Sequence, residues 1–302
     1  MPSNPTIFDR SLLRARQQRA RALGAETFLI DQVAAELGER LSVVLRTFER
    51  AVDLGTPTDA VRRVLAESGK IATAISAAPA TEPRDGSLHV AADEEALPFA
   101  DGSLDLIVSA LALQFVNDLP GTLIQIRRAL KPDGLFLAAL IGGDSLAELR
   151  EAFAQAESEI EGGVSPRVAP FADLRELGAL LQRAGFALPV VDSDRLTVRY
   201  QSVFALMRDL RRMGATNIQT ERRRTPLKRA TLRRVAEIMQ SVSRILTGAC
   251  ARPSRSPGCP AGCRTRASRS RSSRARPTGG SPTRSAPRKF LPARSPAAKT
   301  PR

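Results

Sequence analysis

The sequence predicts an α/β fold with a mostly parallel, doubly wound sheet. Residues 104–113 and 135–141 form continuous apolar runs, as expected for strands that are buried on both faces. Segments of about ten residues with helical periodicity separate runs of this kind, and such crossovers join parallel strands. In an open sheet of this type, ligands bind outside the carboxyl ends of the strands, near the point where the strand order reverses.

Residues 1–46 are predicted to form an N-terminal helical segment. Arg, Gln and Ala dominate residues 13–23, and apolar residues recur at helical spacing over 28–45. An Arg-rich start with few acidic residues is also typical of a mitochondrial presequence. We favour the first helix of the domain, because the motif Ile7–Arg10 begins too early for a removable peptide.

Residues 47–242 are predicted to form the main domain, in which strands and helices alternate. The expected elements are strand 47–54, helix 59–68, strands 71–78, 88–90 and 104–113, helix 121–130, strand 135–141, helices 144–160 and 172–184, strands 187–191 and 195–200, and helices 202–213 and 227–241. The pair within 187–200 can close the sheet edge as an antiparallel hairpin. We expect a turn at 131–134, a cap for the following helix from Asp144 or Ser145, and a helix end at Gly214.

The net charge of +15 resides entirely in the last part of the chain. Residues 244–302 contain 15 of the 46 Lys and Arg residues and none of the 31 Asp and Glu residues. The preceding 243 residues are therefore neutral overall, which makes a nucleic-acid partner for the main domain unlikely.

Residues 243–302 are predicted to be a disordered tail, because an Arg/Ser/Pro-rich segment without periodicity buries too little apolar surface to fold. Three interpretations remain open: an out-of-frame translation of GC-rich DNA, an inert extension, and a basic tail that binds nucleic acid. All three cysteines lie here, and Cys259 and Cys263 have no further ligands nearby for a zinc site.

Composition also excludes several kinds of site. No stretch reaches eighteen uninterrupted apolar residues, so no membrane span is expected. His89 is the single histidine, and an iron site with two histidines or an HExxH zinc site needs two. We expect no metal site. The absence of cysteine before residue 250 fits a reducing compartment, and we expect a cytoplasmic location of the bacterial type.

Two short motifs follow predicted strands. Asp53 and Gly55 end the first strand, where a carboxylate can accept a hydrogen bond and a glycine permits close approach to a ligand. Asp93 precedes Leu97-Pro98-Phe99, in which an acceptor stands beside an apolar wall suited to a planar base. Each motif alone is also compatible with an ordinary turn.

Taken together and in order, the motifs resemble those of class I S-adenosylmethionine-dependent methyltransferases, which have a Rossmann-like fold. The similarity covers roughly residues 1–242 and includes IFDR at 7–10, AVDLG at 51–55, the stretch 92–150 beginning ADEEALPF, AGF at 184–186 and MGATN at 213–217. It is greatest to the branch of the mitochondrial complex I assembly proteins and the biotin-pathway malonyl-carrier methyltransferase. The stretch GGDSLAELR at 142–150 indicates the complex I branch.

The resemblance implies a set of cofactor-binding residues for S-adenosylmethionine. Asp53 and Gly55 would line its methionine side, Asp93 and Leu97 its adenine side, and Ser109 would lie beneath the site of methyl transfer. Gln114 and Arg10 are candidates on the substrate side, whereas no catalytic residue is identified.

The sequence departs from the family pattern at two of these contacts. The first loop usually reads Asp-x-Gly-x-Gly-x-Gly, but here only Gly55 is retained and Pro57 offers no N–H. An acidic residue is expected at the end of the second strand for the ribose hydroxyls, and residues 74–78 contain none.

The function that follows is methyl transfer to a protein or carrier substrate, with a subunit of the respiratory complex as the implied partner. Methyl transfer depends mainly on alignment of the reactants in a dry site, so a catalytic His or Cys is not required. Two alternatives remain open. The first is protein arginine hydroxylation, and the second is a non-catalytic assembly module with a degenerate cofactor loop.

DNA sequencing around codon 243 tests the origin of the tail. We expect a shifted reading frame, because Ser243–Ala251 can be encoded by bases that also encode Phe-Ser-Asp-Pro-Asp-Gly-Arg-Val-Arg, a helix end followed by a turn. A single intact frame without a coding alternative would contradict this origin.

Overall fold

The computed structural model describes residues 6–79 and 88–240, together with the backbone of 246–252. Its strands are β1 (Phe48–Leu54), β2 (Ile71–Ala78), β3 (Leu88–Ala91), β4 (Leu104–Ala110), β5 (Leu130–Ile141), β6 (Val190–Leu196) and β7 (Leu246–Arg252). They form a seven-stranded sheet in the order β3-β2-β1-β4-β5-β7-β6. The five strands from β3 to β5 are parallel to their neighbours, and β7 runs antiparallel to both β5 and β6. The predicted fold class is confirmed.

Helices cover both faces of this sheet. They are α1 (Arg10–Ala22), α2 (Phe28–Ser42), α3 (Ala60–Glu67), α4 (Leu119–Ala129), α5 (Ala147–Glu161), α6 (Leu174–Arg183), α7 (Val203–Arg212) and α8 (Arg229–Gln240). Leu106 and Val108 of β4 join the core under α2 and α3, whereas Ile107 between them joins the core under α4 and α6. Successive residues of the strand are therefore all buried, which explains its uninterrupted apolar run.

The predicted hairpin within residues 187–200 is wrong. These residues contribute one strand, β6, and residues 197–200 are irregular. β6 pairs instead with β7, a strand that is distant in the sequence. β7 in turn pairs with the edge of β5 that would otherwise be free. Arg40 of α2 contacts Asp192 at 2.8 Å and Asp194 at 3.0 Å, which holds β6 at the sheet edge.

Two local predictions also need correction. Residues 131–134 lie within β5 as an irregularity: the pairing with β4 shifts between Leu104 and Leu106, and Asp133 has a φ of 64°. Neither Asp144 nor Ser145 caps α5. Leu146 occupies the N-cap position, with a φ of 57° and no hydrogen bond from a capping side chain.

The segment 246–252, which we predicted as part of the disordered tail, forms β7. The described residues belong to one compact unit. The remainder of the tail, with Cys259 and Cys263, lies outside the described residues. No helix in the described ranges has the length and apolar character that a membrane crossing requires.

The N-terminal helix α1 packs on α7 through a glycine contact. Gly214 ends α7 with a φ of 72°, as predicted, and a Cβ atom there would lie 3.0 Å from the Cα of Gln17. The left-handed conformation and the close backbone contact both favour glycine at this position.

We expect Gly214→Ala to lower the free energy of unfolding more than Gly69→Ala does. Gly69 has a φ of 63° with no atom near its Cβ position, so its substitution should cost about 1–2 kcal/mol from the backbone alone. Gly214→Ala adds the contact with Gln17. Urea unfolding of both variants measures the difference, and equal losses would show that α1 moves aside freely.

Candidate active site

The carboxyl ends of β1 and β4 lie side by side where the strand order reverses, and side-chain hydrogen bonds join them. The hydroxyl of Ser109 donates to the carbonyl oxygen of Leu54 at 2.8 Å. The hydroxyl of Thr56 accepts a hydrogen bond from the N–H of Ala110 at 3.2 Å. Gly55 follows β1 with a φ of 72°, and its N–H donates to the carbonyl of Ala77 at 2.8 Å. This edge is thereby held rigidly in place for a ligand.

Asp53 is a buried carboxylate at the end of β1. The residue is 2% exposed, and its Oδ1 atom has no hydrogen-bond partner. Burial raises the pKa of this carboxyl to about 7, although a hydrogen bond with Thr56 and the charge of Arg62 act in the opposite direction. A buried acceptor without a partner is rare in folded proteins, and it fits a site that receives a hydrogen-bond donor from a ligand.

The loop after β3 contains three successive carboxylates that face two arginines of α1. Arg10 lies 2.9 Å from Asp93 and 3.0 Å from Glu95, and it also forms an ion pair with Glu94. Arg14 forms a second ion pair with Asp93. The Arg10 side chain is largely buried, and the nearby carboxylates raise its pKa even though burial alone would lower it.

Glu94 lies directly over Gly55. A Cβ atom on Gly55 would be 2.6 Å from Oε1 of Glu94 and 3.0 Å from the Cβ of Ala112. The space that remains between Gly55, Pro79, Glu94 and Arg10 measures about 10 Å³. Burial raises the pKa of Glu94, whereas the charge of Arg10 lowers it.

The segment before α1 is fastened over the same edge of the sheet. The N–H of Phe8 donates to Oδ1 of Asn117 at 2.7 Å, and the N–H of Asp9 donates to the carbonyl of Ile218 at 2.8 Å. The Phe8 ring meets that of Phe115 edge to face, with 6.0 Å between centroids. Residues of the IFDR motif and of the segment after MGATN are therefore neighbours in space.

A larger cavity of about 310 Å³ lies beside the ends of β4 and β5. Its lining is mainly apolar and includes Leu29, Ile30, Leu111, Phe115, Ile141, Leu146, Leu149, Phe153, Met207, Leu210 and Met213. Two arginines of the lining are already paired. Arg167 forms an ion pair with Glu157, and Arg212 lies 3.0 Å from Glu26.

Gln114 contributes a polar group to the lining of this larger cavity. Its Nε2 donates to the carbonyl of Leu111 at 2.8 Å, and Leu111 itself has a φ of 53°. The Oε1 atom of Gln114 is buried and has no partner. The side chain is thus fixed in place with an unused acceptor.

The structure brings most of the predicted site residues to one edge of the sheet but gives them different surroundings. Gly55 and Arg10 line the small space, and Arg10 is absent from the lining of the larger cavity. The N–H of Leu97 donates to Oε1 of Gln125 at 2.9 Å, and its side chain packs on the core. Ser109 is fully buried, and its hydroxyl is bound to Leu54.

Sequence analysis missed Glu94, Arg14 and Thr56 as parts of this region. The three consecutive acidic residues at 93–95 were the available signal for Glu94, but only the first of them matched the family pattern. The pairing with α1 joins residues about 80 positions apart in the chain, with separations of 84 for Arg10–Glu94 and 79 for Arg14–Asp93.

Comparison with known proteins agrees with this architecture. A family model described as a methyltransferase domain matches residues 52–138, from β1 to β5. Human mitochondrial arginine-hydroxylase NDUFAF5 is 39% identical over 252 residues, which cover 80% of this chain and 73% of that protein. The malonyl-[acyl-carrier protein] O-methyltransferase of Gallionella capsiferriformans is 34% identical over 260 residues, which cover 80% of this chain and 87% of that protein.

A proposed methyltransferase of known structure from Bacillus halodurans has a TM-score of 0.50 and 14% identity, covering 74% of this chain and 99% of that one, and it supports the fold alone. The sheet order and the site at its switch point define a Rossmann-like protein of the methyltransferase type. The chain belongs to the class I S-adenosylmethionine-dependent methyltransferase family, in the branch that includes the two relatives above.

The raised pKa of Asp53 predicts a pH dependence of stability. The folded protein retains a proton on Asp53 up to about pH 7, whereas the unfolded chain loses it near 3.8, so the free energy of unfolding falls as the pH rises between these values. The fall in the free energy of unfolding over this pH range should be on the order of 4 kcal/mol, and Asp53→Asn should remove it. Urea unfolding of both proteins from pH 4 to pH 8 measures it, and parallel pH profiles would contradict the shift.

Proposed function

We propose that this protein binds S-adenosylmethionine and transfers its methyl group to a protein or carrier substrate. The main supporting observation is the unpartnered Oδ1 atom of the buried Asp53 carboxylate at the switch point of the sheet, in a chain whose relatives include a methyltransferase. The apolar cavity beside β4 and β5 supports the proposal, because it offers a second, drier compartment for the acceptor group.

Four residues at this edge of the sheet fit the cofactor. Asp53 and Gly55 would hold the methionine part, since Asp53 offers its unpartnered Oδ1 atom and Gly55 has no side chain and a left-handed backbone. Asp93 would accept from the adenine amino group, with Leu97 as part of the apolar wall. In the described arrangement Glu94 fills the space next to Gly55, so this side chain has to move when the cofactor binds.

The cofactor, when bound, supplies a methyl group carried on a sulfonium ion. The contribution of the chain is to position the reactants and exclude water. Ser109 and Thr56 keep β4 and β1 in register beneath the site. The apolar lining around Gln114 would receive the substrate side chain and exclude water from it.

The proposed substrate is a group on a larger molecule. A cavity of about 310 Å³ lies at the lower end of the range for small-molecule sites, so it suits one side chain or the end of a carried group. One relative is named for an acyl-carrier protein substrate and another for arginine. A respiratory complex subunit remains the predicted partner, and a cytoplasmic location remains the predicted compartment.

Arginine hydroxylation is the second candidate function. Relatives named arginine-hydroxylase in human, rat, mouse and zebrafish are 36–40% identical to this chain. The chain has one histidine, so two histidines of its own could not hold an iron oxidant. The mass of a modified protein substrate separates the two reactions, because methylation adds a methylene unit and hydroxylation adds one oxygen atom.

Calorimetric titration of S-adenosylhomocysteine into the full chain tests the proposed cofactor site. We expect saturable binding that Asp93→Ala weakens about tenfold to a hundredfold, the range for a lost hydrogen bond to a charged group. Asp101→Ala is the matched control, since Asp101 is an exposed carboxylate that pairs with Arg128 at 3.1 Å, and it should bind like the wild type.

Absence of binding to a folded wild-type protein at millimolar ligand would refute cofactor-dependent chemistry. That outcome would favour the non-catalytic assembly module. Equal affinities of the wild type and Asp93→Ala would remove Asp93 from the site while leaving the cofactor in place.

A further inference from the structure

The second strand lacks the carboxylate that this kind of site ordinarily uses. In dinucleotide-binding sheets of related design, an acidic residue after the second strand accepts hydrogen bonds from ribose hydroxyls. Residues 71–79, which include β2 and the following Pro79, contain no Asp or Glu. Among the described residues, a ribose placed at this edge therefore takes its acceptor from another element.

Glu94 brings a carboxylate to the same place from the loop after β3. Its side chain lines the small space together with Gly55, which follows β1, and Pro79, which follows β2. Its Oε1 atom would be 2.6 Å from a Cβ atom on Gly55. The carboxylate thus lies between the ends of the first and second strands, where a β2 carboxylate would otherwise act.

Independent evidence that this edge receives a ligand comes from Asp53. Its Oδ1 atom is buried without a partner two residues before Gly55, and a buried acceptor of this kind is rare in folded proteins. The Glu94 carboxylate, by contrast, forms an ion pair with Arg10. A ligand that binds the Glu94 carboxylate must therefore displace this arginine.

Arg10 can release Glu94 without becoming an unpaired buried charge. It remains 2.9 Å from Asp93 and 3.0 Å from Glu95 when the contact with Glu94 is given up. An isolated buried cation would be strongly destabilising, and the two remaining carboxylates avoid that penalty. The cluster of three acids is therefore arranged so that one of them is exchangeable.

We infer that Glu94 replaces the missing carboxylate of β2 and exchanges Arg10 for the vicinal ribose hydroxyls of the cofactor. This inference rests on the proposed cofactor binding. In the ligand-free protein Glu94 pairs with Arg10. The exchange of this partner makes α1 part of cofactor recognition.

The test couples a protein substitution with a ligand substitution. S-adenosylhomocysteine and its 2′,3′-dideoxy counterpart are titrated into the full-length wild type, Glu94→Gln and Glu95→Gln. Glu95 is the matched control because it lies on the same loop and pairs with the same arginine. Thermal unfolding of each protein is recorded alongside the titrations, and Glu94→Asp, which keeps the charge on a shorter side chain, is included in case Glu94→Gln does not fold.

The wild type and Glu95→Gln should lose about tenfold to a hundredfold in affinity when the hydroxyls are removed. Glu94→Gln should bind the two ligands about equally, and Glu94→Asp should show a reduced penalty. If every folded Glu94 variant keeps the full penalty, the inference is overturned while cofactor binding stands. If the wild type binds neither ligand, the proposed function itself has failed.

Discussion

The structure depends on the burial of β1, β4 and β5 on both faces. Val52 and Ile107 pack on the α4 and α6 side of the sheet, whereas Ala51 and Leu106 pack on the α2 and α3 side. Such strands leave no solvated face on which a ligand could bind. Chemistry is therefore confined to the edge where the strands end, and the reversal of strand order between β1 and β4 opens a crevice there.

Helix α1 determines the shape and the charge of that crevice. Three adjacent carboxylates would repel one another at a partly buried position, and two arginines of α1 neutralise much of this repulsion. The same contacts hold the helix over the sheet edge, with the hydrogen bond from Phe8 to Asn117 as a further attachment. The N-terminal segment is thus a wall of the candidate site.

Predictions from local pattern succeeded where a pattern has a single structural meaning. The apolar run at 71–78 forms β2 with the predicted bounds, and Gly214 ends α7 in the left-handed conformation. They failed where a distant segment decided the outcome. The residues after Gly185 were assigned a local hairpin, but β6 pairs with β7 because the edge of β5 was open. Asp144 and Ser145 are suitable cap residues, yet Leu146 begins α5 without a capping side chain.

The candidate site shows the same division. Residue type and position indicated Asp53, Gly55 and Asp93, because carboxylates and glycines at the ends of predicted strands suit a ligand. The family resemblance added Gln114. The alternating pattern of apolar runs and helices likewise determined the fold class. Only the tertiary structure placed Glu94 on Gly55 and surrounded Arg10 with three carboxylates, since these contacts join residues about 80 positions apart. Ion pairs of this kind depend on which helix covers the sheet edge, and the local sequence does not show which helix that is.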